Sequence, residues 1–134
     1  MGLIVDTGVL IRLEKNPAFL QFSTYADRGE AYISAITASE LLVGVHRANS
    51  EERRLRRSAY VESVLRDIPV LGFDLETARV HAQLLAALAK SVTLGSHDLI
   101  IGATALRHGF PVLTTNPDDF RRMPGCLVEA VPSI

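Results

Sequence analysis

The chain has 134 residues, a formal net charge of −1 and a hydrophobic content of 48%. These values indicate one globular domain and argue against a disordered chain or a surface that binds nucleic acid indiscriminately. No apolar run approaches the length of a membrane span, and residues 1–13 lack a basic leader, so we expect a cytoplasmic protein without membrane contact. The single cysteine, Cys126, excludes an internal disulfide.

Short apolar segments alternate with longer segments of helical periodicity along the chain. The apolar segments predict strands at residues 3–5, 31–34, 69–72, 110–114 and 126–130. The periodic segments predict helices at about residues 7–15, 17–28, 37–48, 50–67, 74–91 and 97–108. Thr37, Asp74 and Ser96 are predicted helix N-caps, and Gly109 a helix stop. This alternation predicts an α/β fold in which helices cover both faces of a parallel sheet.

Acidic residues lie close to the predicted ends of the strands. Asp6 follows the first strand, Glu40 lies in the helix after the second, and Asp98 begins the helix before the fourth. Asp118 and Asp119 follow the fourth strand. Open parallel sheets bind ligands beyond the carboxyl ends of their strands, so these acids are candidates for one site.

Each acid also has a local explanation that requires no function. Asp6 is placed to cap the helix that follows it. Glu40 stands three residues after Thr37, which is the spacing of a capping box. Asp98 would favour the positive end of its helix dipole, and the two acids after the fourth strand would close a turn.

Taken together, the acids predict a bound cation. Two like charges 4 Å apart repel by about 4 kcal/mol at an effective dielectric constant of 20, so converging carboxylates need a metal ion or protons. Oxygen ligands without nearby cysteine or histidine favour Mg²⁺ or Mn²⁺ over zinc, and these ions activate water for phosphodiester hydrolysis. Three polar residues near the acids in sequence are candidates to orient water or a carboxylate: Thr7, Thr114 and Asn116.

Four segments also resemble PIN-domain ribonucleases, and specifically toxins of the VapC type. The segments are IVDTGVLIRL, ITASELLVGV, GSHDLIIGATAL and LTTNPDDF, and the similarity extends over about residues 3–131. The resemblance implies a single PIN-like domain over residues 1–134, folded as a three-layer α/β/α sandwich with a roughly five-stranded parallel sheet. It further implies RNA cleavage that depends on Mg²⁺ or Mn²⁺ and leaves a 5′-phosphate and a 3′-hydroxyl.

By the same resemblance, Asp6, Glu40, Asp98 and Asp119 are the catalytic metal ligands, while Asp118 has no clear counterpart and is a possible substitute. The chain has Thr115 where many relatives have an arginine, which would alter substrate choice rather than the metal site. The family also implies a homodimer and inhibition by a small antitoxin laid across the acidic groove.

An arginine-rich segment has two interpretations. Its members Arg53, Arg54, Arg56 and Arg57 either contact RNA or a partner, or form a solvated helix face stabilised by Glu52–Arg56 and Glu62–Arg66 pairs. Among the histidines, His97 adjoins Asp98 but is expected to pack or hydrogen-bond at the rim of the site, and His81 is expected to be structural.

Two other functions are compatible with the sequence. A catalytically silent module of the same fold would bind RNA or a peptide without cleaving it. A phosphohydrolase would act on small esters through the same metal ion, although the chain has no P-loop for nucleotide-dependent chemistry.

Overall fold

A computed structural model describes residues 1–132 and contains a five-stranded sheet. Its strands are β1 (Gly2–Val5), β2 (Glu30–Ser34), β3 (Val70–Leu71), β4 (Val112–Thr114) and β5 (Val128–Ala130). The strand order is β3-β2-β1-β4-β5, and every neighbouring pair is parallel. The predicted α/β fold with a five-stranded parallel sheet is therefore confirmed.

Within residues 1–132, six α-helices connect and cover the strands. They are α1 (Thr7–Lys15), α2 (Ala35–His46), α3 (Glu51–Asp67), α4 (Leu75–Ala87), α5 (Ser96–His108) and α6 (Pro117–Arg121). No helix within residues 1–132 is both long enough and apolar enough to cross a membrane. The short helix α6 replaces the turn expected there, because Pro117 begins it and the fully buried Phe120 anchors it to the core.

The helix expected at residues 17–28 is wrong over its first half. Helix α1 ends at Lys15 with Asn16 as its C-cap, and residues 17–28 contain only a 3₁₀-helix, Phe22–Arg28, whose C-cap Gly29 has a φ of 98°. Pro17 explains the break, because proline disfavours helical geometry in the residue before it. Gly29 suits the sharp reversal into β2, since its positive φ disfavours residues with a side chain.

Alternate residues of each central strand enter two separate cores. Val5, Ile33 and Leu113 pack with buried residues of α1, α2 and α3 on one face of the sheet. Ile4 and Val112 pack with α4, α5 and α6 on the other face. This alternation follows from the two-residue period of a strand, and it produces the three-layer arrangement.

Two predicted helix N-caps are shifted by one to three residues, and two other predicted helix ends are confirmed. Asp74 accepts a hydrogen bond from the amide of Thr77, and Gly109 ends α5 with a φ of 72°, both as expected. Helix α2 is capped by Ser34 rather than Thr37, and the amide of Thr37 donates to the Ser34 hydroxyl. Helix α5 likewise begins after Gly95, with Ser96 as its first residue instead of its cap.

The central strand β1 is the point where the connections diverge. The chain leaves β1 through α1 to reach β2 on one side, whereas β4 lies on the other side of β1. Crevices at such switch points, beyond the carboxyl ends of the strands, are the usual ligand sites of α/β sheets. Asp6 follows β1 directly and Thr114 ends β4, so both lie at this crevice.

Candidate active site

Asp6 is held in the crevice by the neighbouring strand. Its side chain is only 8% exposed, and the fully buried Thr114 hydroxyl donates a hydrogen bond to Asp6 Oδ2 over 2.7 Å. Asp6 occupies the N-cap position of α1 but makes no side-chain capping bond there. Burial raises the pKa of Asp6, the Thr114 hydrogen bond opposes that rise, and the charge of Glu40 adds to it.

Glu40 reaches the same crevice from α2. Its Oε1 accepts a hydrogen bond of 2.8 Å from the Thr7 hydroxyl, and its Oε2 lies 3.3 Å from Nδ1 of His97. The capping-box explanation for Glu40 is therefore wrong, because Ser34 caps the helix and the carboxylate turns toward α1 and α5 instead.

A chain of buried hydroxyl groups stands behind Glu40. The Thr7 hydroxyl lies 2.9 Å from the Thr37 hydroxyl, which lies 3.4 Å from the hydroxyl of Ser34. All three residues are almost completely buried. We call this chain the hydroxyl ladder. Sequence analysis missed Thr37 and Ser34 as contributors, because the Thr37 hydroxyl reaches Thr7 only once α1 packs beside α2.

Asp98 lies in the first turn of α5 and faces the other three acids. It is half-buried, and its pKa is raised to about 6, first by burial and then by the charges of Asp6, Asp119 and Glu40. The positive end of the α5 dipole favours the ionised form of Asp98, but it does not offset the rise in its pKa. Asp6, Glu40, Asp98 and Asp119, from four different parts of the fold, therefore influence one another electrostatically. We call these four residues the acidic group.

Asp119 is positioned by the loop after β4. The side-chain amide of Asn116 donates to Asp119 Oδ2 over 3.0 Å, and the backbone amide of Asn116 donates to the Thr114 hydroxyl over 2.9 Å. The Thr114 hydroxyl thus accepts a hydrogen bond from the Asn116 amide and donates its single proton to Asp6. Asn116 and Thr114 consequently connect Asp6 to Asp119.

Asp118 and Thr115 lie close to the acidic group in sequence but are not part of it. Asp118 is 83% exposed at its side chain and lies 3.7 Å from Arg121, so it belongs to the outer surface of α6. Thr115 is half-buried beside Gly8 at the start of α1. His97 is half exposed and its Nδ1 lies 3.3 Å from Glu40, which agrees with the expected polar contact at the rim of the site. His81 packs edge-on against Phe73, away from the acids.

The candidate arginines lie along α3 instead of at the acids. Within residues 1–132, none of them pairs with Asp6, Glu40, Asp98 or Asp119. Arg54 pairs with Glu51, Arg53 donates to Asn49, and Arg57 donates to the carbonyl oxygen of Gly44. The acidic group is therefore left without a lysine or arginine partner in the part of the chain that the structure describes.

Comparison with known proteins agrees with this geometry. A family model of the PIN domain matches residues 3–125. "Ribonuclease VapC1" of Rickettsia felis is 42% identical over 135 residues, covering 99% of this chain and 98% of the relative. "tRNA(fMet)-specific endonuclease VapC" of Salmonella typhimurium is 32% identical over 131 residues, covering 96% and 97%. The chain belongs to the VapC family of PIN-domain ribonucleases. A solved DNA-bound VapBC structure from Salmonella typhimurium has 31% identity and a TM-score of 0.85, covering 97% of this chain and 98% of that one.

Nucleases of the VapC family generally depend on a divalent metal ion. The residues of this chain fit such an ion by charge and chemistry, because four carboxylates converge, two have raised pKa values, and all potential ligands are oxygen atoms. Within residues 1–132, no three His, Cys, Asp or Glu side chains form a ready coordination cluster. Mg²⁺ does not require such a cluster, because the ion retains several of its own water molecules and uses few direct carboxylate ligands.

Proposed function

We propose that this ribonuclease is the toxin of a toxin–antitoxin pair, formed by a single domain over residues 1–134. In this proposal Asp6, Glu40, Asp98 and Asp119 hold Mg²⁺ or Mn²⁺ at the carboxyl ends of β1 and β4. The main support is the raised pKa of Asp98, which is caused first by burial and then by the charges of Asp6, Asp119 and Glu40, with no lysine or arginine paired to these acids in the described residues. Carboxylates that lie together without basic partners need a bound cation to offset their charge.

The chain's own residues orient the ligands for RNA hydrolysis. Thr114 fixes Asp6, Asn116 fixes Asp119, and Thr7 with His97 fixes Glu40. The divalent ion would supply activation of water and stabilisation of charge on the phosphate. A bond forms between the water oxygen and phosphorus, the bond from phosphorus to O3′ breaks, and the products carry a 5′-phosphate and a 3′-hydroxyl.

The substrate in this proposal is a single-stranded loop of a structured RNA. Single-stranded loops expose their bases, whereas the deep groove of an A-form helix hides them. The Salmonella relative is named as specific for tRNA(fMet), which makes transfer RNA the first substrate class to test. Thr115, which lies near the acids without adding a positive charge, is a candidate determinant of substrate choice.

The partners in this proposal are a small antitoxin and a second copy of the chain, in the cytoplasm. Structural neighbours include toxin–antitoxin complexes, among them the VapBC complex from Salmonella. An antitoxin segment that covers the acidic crevice would block the approach of RNA. A homodimer would bring two such crevices into one particle.

The decisive experiment measures cleavage of transfer RNA by the purified chain with Mg²⁺ or Mn²⁺, and then with excess chelator. We expect cleavage that the chelator abolishes, and a loss of at least about 100-fold in the variants Asp6→Asn and Asp98→Asn. The variant Asp118→Asn is the matched control, because it removes one carboxylate from the same region but outside the acidic group.

Three results would contradict the proposal in distinct ways. Undiminished cleavage by the double variant Asp6→Asn, Asp98→Asn would exclude the acids as the catalytic group. Binding of RNA without cleavage under any metal condition would favour the catalytically silent module. Hydrolysis of a small phosphate ester with no action on RNA would favour the phosphohydrolase.

A further inference from the structure

A groove begins at Glu40 and continues between α1 and α3. A cavity of about 200 Å³ is lined by Glu40 together with Lys15 and Arg57. Lys15 and Arg57 also line a larger cavity of about 430 Å³, and Arg57 lines a third, beside Arg47, of about 200 Å³. Because Arg57 lines all three cavities, they adjoin one another, and together they mark a path along α1 and α3 that leads away from Glu40.

Five cations line this path, and we call them the basic groove: Lys15, Arg47, Arg53, Arg56 and Arg57. Within residues 1–132, only Arg57 among them pairs with a carboxylate, that of Glu14 at 3.5 Å. Arginines elsewhere are neutralised more often, as Arg28, Arg54, Arg66, Arg79 and Arg121 each have an acidic partner. In a chain with a net charge of −1, the basic groove is a local concentration of uncompensated positive charge.

The alternative interpretation, a solvated helix face, loses part of its expected stabilisation in this part of α3. The expected ion pairs of Glu52 with Arg56 and of Glu62 with Arg66 do not form within the described residues. Arg66 pairs with Asp67 instead, and Arg56 lines the larger cavity. The cations of the basic groove are therefore available to a ligand.

We propose that the basic groove binds the phosphate backbone of the RNA strand and guides it to the acidic group. This inference rests on the proposed function of the site at Asp6 and Asp98. A polyanion that approaches four carboxylates is repelled, and cations placed directly beside Glu40 offset that repulsion. Guanidinium groups suit this task because their planar donors match pairs of phosphate oxygens.

The continuity with the acidic group favours RNA over an acidic peptide as the occupant. An RNA strand must reach Glu40 and also extend beyond the bond that is cut, and the basic groove starts at Glu40. Its phosphates repeat along the strand, as the arginines do along α3 and the end of α2. Contacts of this kind add affinity without reading base sequence.

The test compares two double variants of equal charge change on α3. Arg53→Gln with Arg56→Gln alters the basic groove, and Arg54→Gln with Arg66→Gln alters only arginines outside it. All four side chains are exposed, so both double variants are expected to fold. Arg57 is left intact because it donates to the carbonyl oxygen of Gly44.

Binding is measured with a short fluorescent single-stranded RNA in the Asp98→Asn background, with chelator, at several salt concentrations. For the groove variant we expect Kd to rise roughly tenfold and the slope of log K against log salt to shrink by about 1.4, since each single-strand phosphate contact contributes about 0.7. The control variant should match its parent. In the otherwise wild-type chain, KM for RNA should rise while kcat stays unchanged.

Equal losses in both double variants would overturn the proposal, because the effect would then be one of net charge alone. Displacement of RNA by poly-L-glutamate of matched charge at equal concentration would also overturn it and indicate an acidic protein partner. These results differ from a failure of the proposed function. That failure would appear as absence of cleavage by the wild-type chain, whatever the groove variants bind.

Discussion

The Thr114 hydroxyl donates a hydrogen bond of 2.7 Å to Asp6, a residue 108 positions away in the chain. This contact joins the ends of the neighbouring strands β1 and β4 and fixes the orientation of the most deeply buried acid of the site. Positioning by such neighbours commonly controls how well a carboxylate holds a metal ion.

Replacing Thr114 with valine should therefore impair the site more than the fold. We expect metal affinity or activity to fall about 10- to 100-fold, and stability to fall by about 1–3 kcal/mol as Asp6 and the Asn116 amide lose a partner. Activity as a function of Mn²⁺ concentration and urea unfolding measure the two effects. Thr104→Val is the control, because it removes another buried hydroxyl that bonds only within α5. Equal loss of activity in both variants would refute a specific role for Thr114.

Asp98→Asn should stabilise the metal-free protein at neutral pH while it abolishes activity. The folded-state pKa of about 6 exceeds the ordinary value of 3.8, so the folded state binds more protons between these pH values. The unfolding free energy of the wild type therefore falls as pH rises from about 4 to about 6. The variant avoids this loss, which amounts to about 1 kcal/mol after allowance for solvent screening.

Urea unfolding in chelator at pH 4, 5, 6 and 7 tests this dependence. The stability difference between Asp98→Asn and the wild type should be small at pH 4 and complete by pH 7. Asp118→Asn, which alters an exposed acid, should show no such trend. Added Mn²⁺ should raise the Tm of the wild type and not that of Asp98→Asn, because a ligand stabilises only the state that binds it.

Thr37→Val should weaken catalysis by releasing Glu40. The substitution removes the middle hydroxyl of the hydroxyl ladder, so Thr7 loses a neighbour that helps to orient it toward Glu40. We expect kcat to fall about tenfold with little change in KM, and Thr37→Ser to restore activity because it returns the hydroxyl. A failure of serine to rescue, with Thr104→Val equally impaired, would reduce Thr37 to a packing role.

Gly102→Ala should destabilise the protein and displace Asp98. Gly102 lies one turn after Asp98 on α5, and a Cβ atom there would overlap the sulfur of the fully buried Met123. We expect a loss of about 1–3 kcal/mol, measured by urea unfolding, and partial recovery when Met123→Val is added. Gly72→Ala is the control, because no atom lies within 4 Å of the added carbon. Similar losses in both glycine variants would contradict this explanation.

Local patterns predicted the parts of the fold that depend on local physics. The apolar segment at residues 3–5 identified the buried strand β1, and Asp74 identified the start of α4, because burial and capping are visible within a few residues. The same reasoning failed at residues 17–28, where helical periodicity was outweighed by Pro17. It also offered a capping box as the local explanation of Glu40, since nothing near Glu40 in sequence reveals that Ser34 is the cap.

The sequence by itself determined which residues carry charge and where each lies relative to its own strand or helix. Only the tertiary structure decided their partners: Thr7 for Glu40, 33 positions away, and Thr114 for Asp6. It also decided that the charges of Asp6, Asp119 and Glu40 act together on Asp98. The physical reason is that these interactions depend on strand order and helix packing, which bring distant residues within a few ångströms, whereas sequence patterns report only on neighbours along the chain.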